Sequence, residues 1–119
     1  MKFKYFNYSE FDSPDLKGSG SKMSDEVISM LDVARKKYGK AMVINSGYRT
    51  CEHNAEVGGK PESSHLKGLA VDISCVNSTD RFNLEGVLRD VGFKRLGIGK
   101  TFIHADIDKN KSQYMTWLY

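Results

Sequence analysis

His65 and Asp72 stand seven positions apart in the stretch SSHLKGLAVDI, residues 63–73, with Gly68 and small or apolar residues between them. That spacing is either half of a metal site or a turn leading into an ordinary buried strand. Strand alternation bears on the choice, because successive side chains of a strand point to opposite faces. In GLAVDIS, Leu69, Val71 and Ile73 share one apolar face, while Ala70, Asp72 and Ser74 share the other. In FIHADID, Ile103, Ala105 and Ile107 share an apolar face, while Phe102, His104, Asp106 and Asp108 lie opposite. Two neighbouring strands would aim Asp72, His104 and Asp106 into one cleft. His65, in the glycine-flanked entry to the first strand, would close over the same point. Two imidazoles and a carboxylate converging, with room for water, match a catalytic zinc site, which keeps its fourth position open. The competing reading, a solvated loop histidine and a turn aspartate, covers one such pair more easily than two.

The elements that must position these residues follow from pattern and punctuation. Phe3 to Phe11 reads as an irregular or short extended arm, and Asp12 to Lys22 as a loop of turn formers. Ser24 is a helix cap, Asp25 and Glu26 suit the first turn, and Gly39 suits the end. Val27, Ile28, Leu31, Ala34 and Tyr38 recur at helical spacing between them, which predicts a helix over Asp25–Tyr38. AMVIN reads as a buried strand ending in SGYRT, and CEHNAEVGG as a short helix closed by glycines. GLAVDISC is a second strand. Ser78 or Thr79 caps a helix over Asp80–Val91, with Phe82, Leu84, Val87, Leu88 and Val91 as its apolar set. FKRLGIG and TFIHADID are two strands joined by a tight turn, and YMTWLY is a last strand that packs its aromatics. Hairpins dominate the C-terminal half, so the fold class expected is α+β.

Composition narrows the function classes. The chain has 119 residues, which suits one domain over 1–119, and 39% apolar with 28% charged residues fits a globular protein with a real core. No apolar run approaches the roughly 20 residues of a membrane span, so no membrane insertion is expected. MKFKYFNYSEF lacks a continuous apolar region, so no secretory signal is read. The net charge of +3 is spread out, with no basic-aromatic stripe or helix-turn-helix signature, so nucleic acid is not the expected partner. An anionic polymer such as a bacterial wall suits the charge equally well. Cys51 and Cys75 have no CxxC spacing and read as two free thiols in a reducing compartment, with a disulfide between them as the alternative.

A resemblance adds to this reading. Ser63-x-His65-x-x-Gly68-x-Ala70-x-Asp72 resembles the SxHxxGxAxD signature of the zinc D-alanyl-D-alanine peptidases, peptidase family M15, which share a fold with the hedgehog signalling domain. INSGYRTCEHNAEVGG and GIGKTFIHADID resemble two further segments of the branch often found in phage-encoded and bacterial wall hydrolases. The likeness runs from about Met42 to Asp108. It implies one Zn2+ per chain held by His65, Asp72 and His104. It implies hydrolysis of peptide bonds in bacterial peptidoglycan, as a D,D-carboxypeptidase or an endopeptidase. Arg49 matches the family arginine, whose fork can hold a substrate carboxylate or an oxyanion. Ser63 is expected to orient the site or touch substrate, and Asn54 to brace the loop.

One position departs from the pattern. Several branches carry an acidic base three residues before the last histidine ligand, where this chain has Thr101. Asp106 is the carboxylate that alternation puts beside His104, either as the general base or as the partner that holds an imidazole. Base is the preferred reading, and Glu62 is a weaker candidate. His53 is expected to face solvent or pack locally, and Trp117 and its neighbouring tyrosines to be core. The expected protein is a monomer acting on the wall after release through a phage pore, or as part of a phage particle. The alternative is a catalytically inactive, zinc-containing wall-binding or structural module.

Overall fold

Ser24 caps the first long helix by accepting from the Val27 amide at 3.4 Å, and Gly39 ends it in the left-handed conformation, φ +75°. This is α1, Asp25–Tyr38, of the computed structural model, which describes residues 2–119. The chain continues through β1 (Ile44–Ser46), α2 (Cys51–Glu56), β2 (Ala70–Ser74), α3 (Ser78–Asp90), β3 (Arg95–Ile98), β4 (Phe102–Asp106) and β5 (Met115–Leu118). Short 3-10 turns lie at Tyr8–Phe11, Ser19–Lys22 and Ser64–Lys67. The sheet order is β1-β2-β4-β3-β5, antiparallel except for the parallel β3–β5 pair. Three helices on a mostly antiparallel sheet make an α+β fold. None of the described helices is long and apolar enough to cross a membrane.

The two faces of the sheet have separate tasks. Val71, Ile73, Leu96, Ile103 and Ala105 join Val27, Ile28, Leu31 and Ala34 of α1 and Leu84 and Leu88 of α3 in one core. Burying each larger side chain there contributes about 1.5–3 kcal/mol. The opposite face is built in rows, because directly paired residues of neighbouring strands share a face. One row runs Ser46, Asp72, His104, Gly97, Trp117 across all five strands. The next runs Ala70, Asp106, Arg95, Met115. A register shift in β1 lets Ile44 pair with Ile73 and Ser46 with Asp72, so Ile44 keeps to the core side while Ser46 turns toward the polar row.

Four expectations change. The arm at Phe3–Phe11 is no mere extension, since Phe3, Phe6 and Phe11 are buried in the core. The strand read in AMVIN is a short edge strand rather than a buried one, and Val43 is 62% exposed. Asn77, not Ser78 or Thr79, caps α3 by accepting from the Asp80 amide at 2.8 Å, and Phe82 is 76% exposed. The C-terminal aromatics are not core, since Trp117 of β5 is half-buried and Tyr119, just past the strand, is 67% exposed.

Gly68 connects the core to the polar face. It closes the Ser64–Lys67 turn at φ +69°, and a Cβ there would stand 2.4 Å from the carbonyl oxygen of Lys22. Backbone cannot swing aside, and the adjoining Ser24 amide donates to the Gly68 carbonyl at 2.9 Å. Gly68→Ala should therefore lower stability by about 2 kcal/mol or more, from left-handed strain plus the clash. Urea midpoints check this, and a loss under about 0.5 kcal/mol would show that the turn relaxes freely.

Candidate metal centre

His65 sits in the 3-10 turn Ser64–Lys67, whose cap Ser63 accepts from the His65 amide at 3.2 Å. Its Nδ1 lies 2.7 Å from the Gly47 carbonyl oxygen. A carbonyl only accepts, so Nδ1 carries the proton and Nε2 is left as the ligand-type atom. That Nε2 lies 3.3 Å from Asp72 Oδ1. His104 meets the same oxygen from the other side, its Nδ1 2.9 Å away. The second nitrogen of His104, Nε2, lies 2.7 Å from Asp106 Oδ2. Ligand atoms of His65, Asp72 and His104 all fall within 4.8 Å of one another.

This donor set fits a metal. Two imidazoles and a carboxylate are nitrogen and oxygen donors of the kind zinc takes at about 2.0–2.2 Å, so neighbouring tetrahedral ligands stand about 3.3 Å apart. The observed separations of 3.3 and 2.9 Å lie at and just below that spacing. Each imidazole is also held by its far nitrogen, the arrangement that orients metal-binding histidines. His65 and His104 are buried, at 3% and 7% exposure.

Electrostatics keep both carboxylates, Asp72 and Asp106, ionised. Burial pushes the Asp72 carboxyl up, but its contacts with His104 and His65 outweigh it and hold the group well below the usual carboxylate range. Burial would lower His104, yet Asp106 and Asp72 raise it overall. Asp106 is raised by burial and lowered more by His104, the Asp108 amide and Arg95, so it stays a carboxylate.

Asp106 lies beside His104 as alternation requires, but not as a free base. Oδ2 faces His104, and Oδ1 accepts from Arg95 Nε at 2.8 Å and from the Asp108 amide at 3.0 Å. Both oxygens are occupied, the residue is 1% exposed, and it meets the imidazole on the nitrogen turned away from Asp72. Of the two readings, base or partner of an imidazole, these contacts fit a brace for His104 more closely. Glu62 is exposed, and it is its backbone carbonyl that accepts from Lys111 at 2.9 Å. Thr101 is exposed in the β3–β4 turn.

Arg49 closes the β2 side of the centre. Its guanidinium reaches Asp72 Oδ2 at 3.5 Å, Asn54 Oδ1 at 3.1 Å and Ser46 Oγ at 3.2 Å. Asn54 in turn donates to the Lys60 carbonyl at 2.9 Å, so it braces both the arginine and the loop. Ser63, Arg49 and the three ligand candidates all line one open cleft of about 800 Å³. His53 stays apart, its Nδ1 3.8 Å from Glu56 on the same helix. Cys51 is exposed and Cys75 buried, both as free thiols.

A family model described as Peptidase M15 matches residues 4–107. The chain belongs to the peptidase M15 family. A search of curated proteins found no match. The matched span holds His65, Asp72, His104, Arg49 and Asp106, and it begins well before the motifs that carried the resemblance. Membership brings hydrolase and metallopeptidase chemistry with it, and the His–Asp–His cluster is where a metal would be held.

Several residues of the site were not singled out in the sequence. Asp108, 1% exposed, accepts from Ser64 Oγ at 2.8 Å and Lys67 Nζ at 3.1 Å, tying the His65 turn to the end of β4. Alternation had put it on the right face. Arg95 had a quieter signal, since residues 95, 97 and 99 share a face on which two are glycines. Gly47 acts through its carbonyl, for which a sequence gives no sign.

Asp106→Asn distinguishes brace from base. As a brace, its loss should weaken metal binding about 10–100-fold. Competition against a chromophoric chelator reads this directly. Unchanged affinity with turnover reduced about 10²-fold would restore the base role.

Proposed function

We propose that this chain is a zinc metallopeptidase that hydrolyses peptide bonds in the stem peptides or cross-links of bacterial peptidoglycan. The proposal covers both a D,D-carboxypeptidase and an endopeptidase. The observation that carries the reading is the pair of imidazole nitrogens, His65 Nε2 and His104 Nδ1, converging on one Asp72 oxygen beside a forked cation, Arg49. When bound, zinc supplies a Lewis acid that polarises a carbonyl and makes water more acidic.

The chain's own residues do the rest. His65, Asp72 and His104 hold the ion, and Gly47 and Asp106 fix the two rings. Arg49 is anchored by Asn54 and Ser46, which leaves its planar edge set toward Asp72 and the cleft. There it binds a substrate carboxylate or stabilises charge on the attacked carbonyl oxygen. Ser63 fixes the turn that presents His65 and stands in the cleft wall.

The inactive wall-binding module keeps one observation in its favour. Among the described residues, Asp72 and Asp106 are the only carboxylate side chains lining the cleft, and both are engaged. Incubation with purified sacculi separates the two readings. The peptidase releases fragments with new amino termini or free D-alanine, identified by mass spectrometry, and a binding module only co-sediments.

Two variants test the assignments. His104→Ala and His65→Ala should each lose most of the roughly one equivalent of zinc expected per chain, and full retention in both would sink the site. Arg49→Lys should fall about 10-fold or more in activity, with zinc retained, because a lysine has charge without the fork. Full activity in Arg49→Ala would reduce the residue to an ion-pair partner of Asp72.

A further inference from the structure

The C-terminal strand places large aromatic side chains on the polar face of the sheet rather than on its core face. β5 pairs in parallel with β3, and Trp117 stands in the same row as His104, with Gly97 between them. A Cβ on Gly97 would come within 2.7 Å of the Trp117 ring and 2.6 Å of the Tyr119 ring. The missing side chain is what lets both aromatics lie over β3 and reach the metal centre. The His104 ring centroid is 5.5 Å from Trp117 and 6.4 Å from Tyr119. Gly99 makes the same allowance for Phe102, whose ring stands 5.0 Å from Tyr119. All three aromatics line the cleft, and no residue of β5 belongs to the core.

Structural packing alone does not account for this wall. Tyr119 remains 67% exposed and Trp117 half-buried, so the strand leaves much of its apolar surface in water. An apolar surface opening into a site with convergent polar groups is how peptide and small-molecule clefts are lined. The row also has direction. Arg49 meets Asp72 at the β2 end, and Trp117 meets His104 at the β3 end. An extended peptide advances about 3.3 Å per residue. A ring centred 5.5 Å from His104 is therefore within reach of the residue next to the bond being cut.

We infer that Trp117, with Tyr119 beside it, is the substrate-positioning wall that takes the uncharged residue on the amino-terminal side of the scissile bond, while the carboxylate-bearing side lies toward Arg49. The inference rests on the peptidase reading above. The wall favours an uncharged, apolar side chain. A charged side chain of either sign loses its water there against Phe102 and Tyr119 without a free partner, because Arg95, 4.8 Å from the Trp117 ring centroid, is already paired with Asp106.

Trp117 is the only tryptophan in the chain, so its fluorescence reports on this wall alone. Zinc-loaded protein is mixed in a stopped-flow instrument with a peptidoglycan stem pentapeptide, which contains no aromatic residue. Emission should change within the mixing phase, before turnover, and the change should saturate with peptide concentration. Trp117→Ala should raise KM about 10-fold with kcat within about 3-fold, the pattern of lost ground-state binding. Trp117→Phe should recover most of the loss, and zinc content should match wild type in both. A pentapeptide with lysine in place of the alanine at the wall should be cut with a KM raised similarly in wild type. Silent emission at concentrations that saturate hydrolysis overturns the inference, as does an unchanged KM in Trp117→Ala. A wild type that cuts neither pentapeptide nor sacculi overturns the peptidase reading itself. One that cuts while Trp117 stays silent overturns only the wall.

Discussion

Two imidazoles must present unblocked nitrogens to one oxygen of Asp72, and most of the polar face follows from that constraint. A free imidazole rotates and exchanges tautomers, so each ring has to be fixed through its other nitrogen. For His65 the fixing group is the Gly47 carbonyl, which is available because the chain leaves β1 after the irregular pairing at Ser46. For His104 it is Asp106, two residues along the same strand. Asp106 could not sit buried as a lone anion, and Arg95 on the adjacent strand neutralises it. Arg95 is itself held by the Ser112 carbonyl at 2.6 Å and by the Trp117 ring. One requirement at Asp72 thus propagates through β4 and β3 to β5.

The sheet makes this possible because its two faces are independent in side-chain content but share one backbone. Val71 and Ile73 are fully buried against the helices, and Asp72 between them points the other way. The register that the apolar face fixes also fixes the pairing of Asp72 with His104. A slip of one residue would put every core side chain of β4 into the cleft, so the core protects the site's geometry. Gly97 and Gly99 show the reverse dependence. They contribute nothing to the core, and the space they leave is filled by aromatics from the cleft side.

Alternation and capping were legible in the sequence where one residue type decides the outcome. Asp25–Tyr38 is bounded as Ser24 and Gly39 imply, and the Asp72 and His104 faces are as period-2 reading gives them. The elements less well read are those settled by tertiary partners. AMVIN has the composition of a buried strand, yet its place at the sheet edge leaves Val43 in water. Phe82 fits the helical period of α3, but the face packed on α1 and the sheet is set by Leu84 and Leu88. Phe3, Phe6 and Phe11 look like arm residues, and only the folded core shows the hole they fill. Asp106 falls on the face that alternation gives it, but its pairing with Arg95 comes from a strand whose register no local pattern reveals. YMTWLY has the aromatic composition of a core strand. Its parallel pairing over two glycines turns it to the cleft instead.

Holding so many polar groups out of water is costly, and the cost is met by complete pairing. His65, Arg95, His104, Asp106 and Asp108 are all buried, and among the described residues no buried side-chain nitrogen or oxygen lacks a partner. A fully paired network of this kind contributes little net stability against an apolar alternative, whereas breaking one member leaves an uncompensated charge. The network therefore serves geometry more than stability. Stability comes from the opposite face, where the α1 and α3 side chains close over the sheet. That division explains why a polar cleft of about 800 Å³ can be carried by so short a chain. The core needs only one face of the sheet, and the other is left free for chemistry.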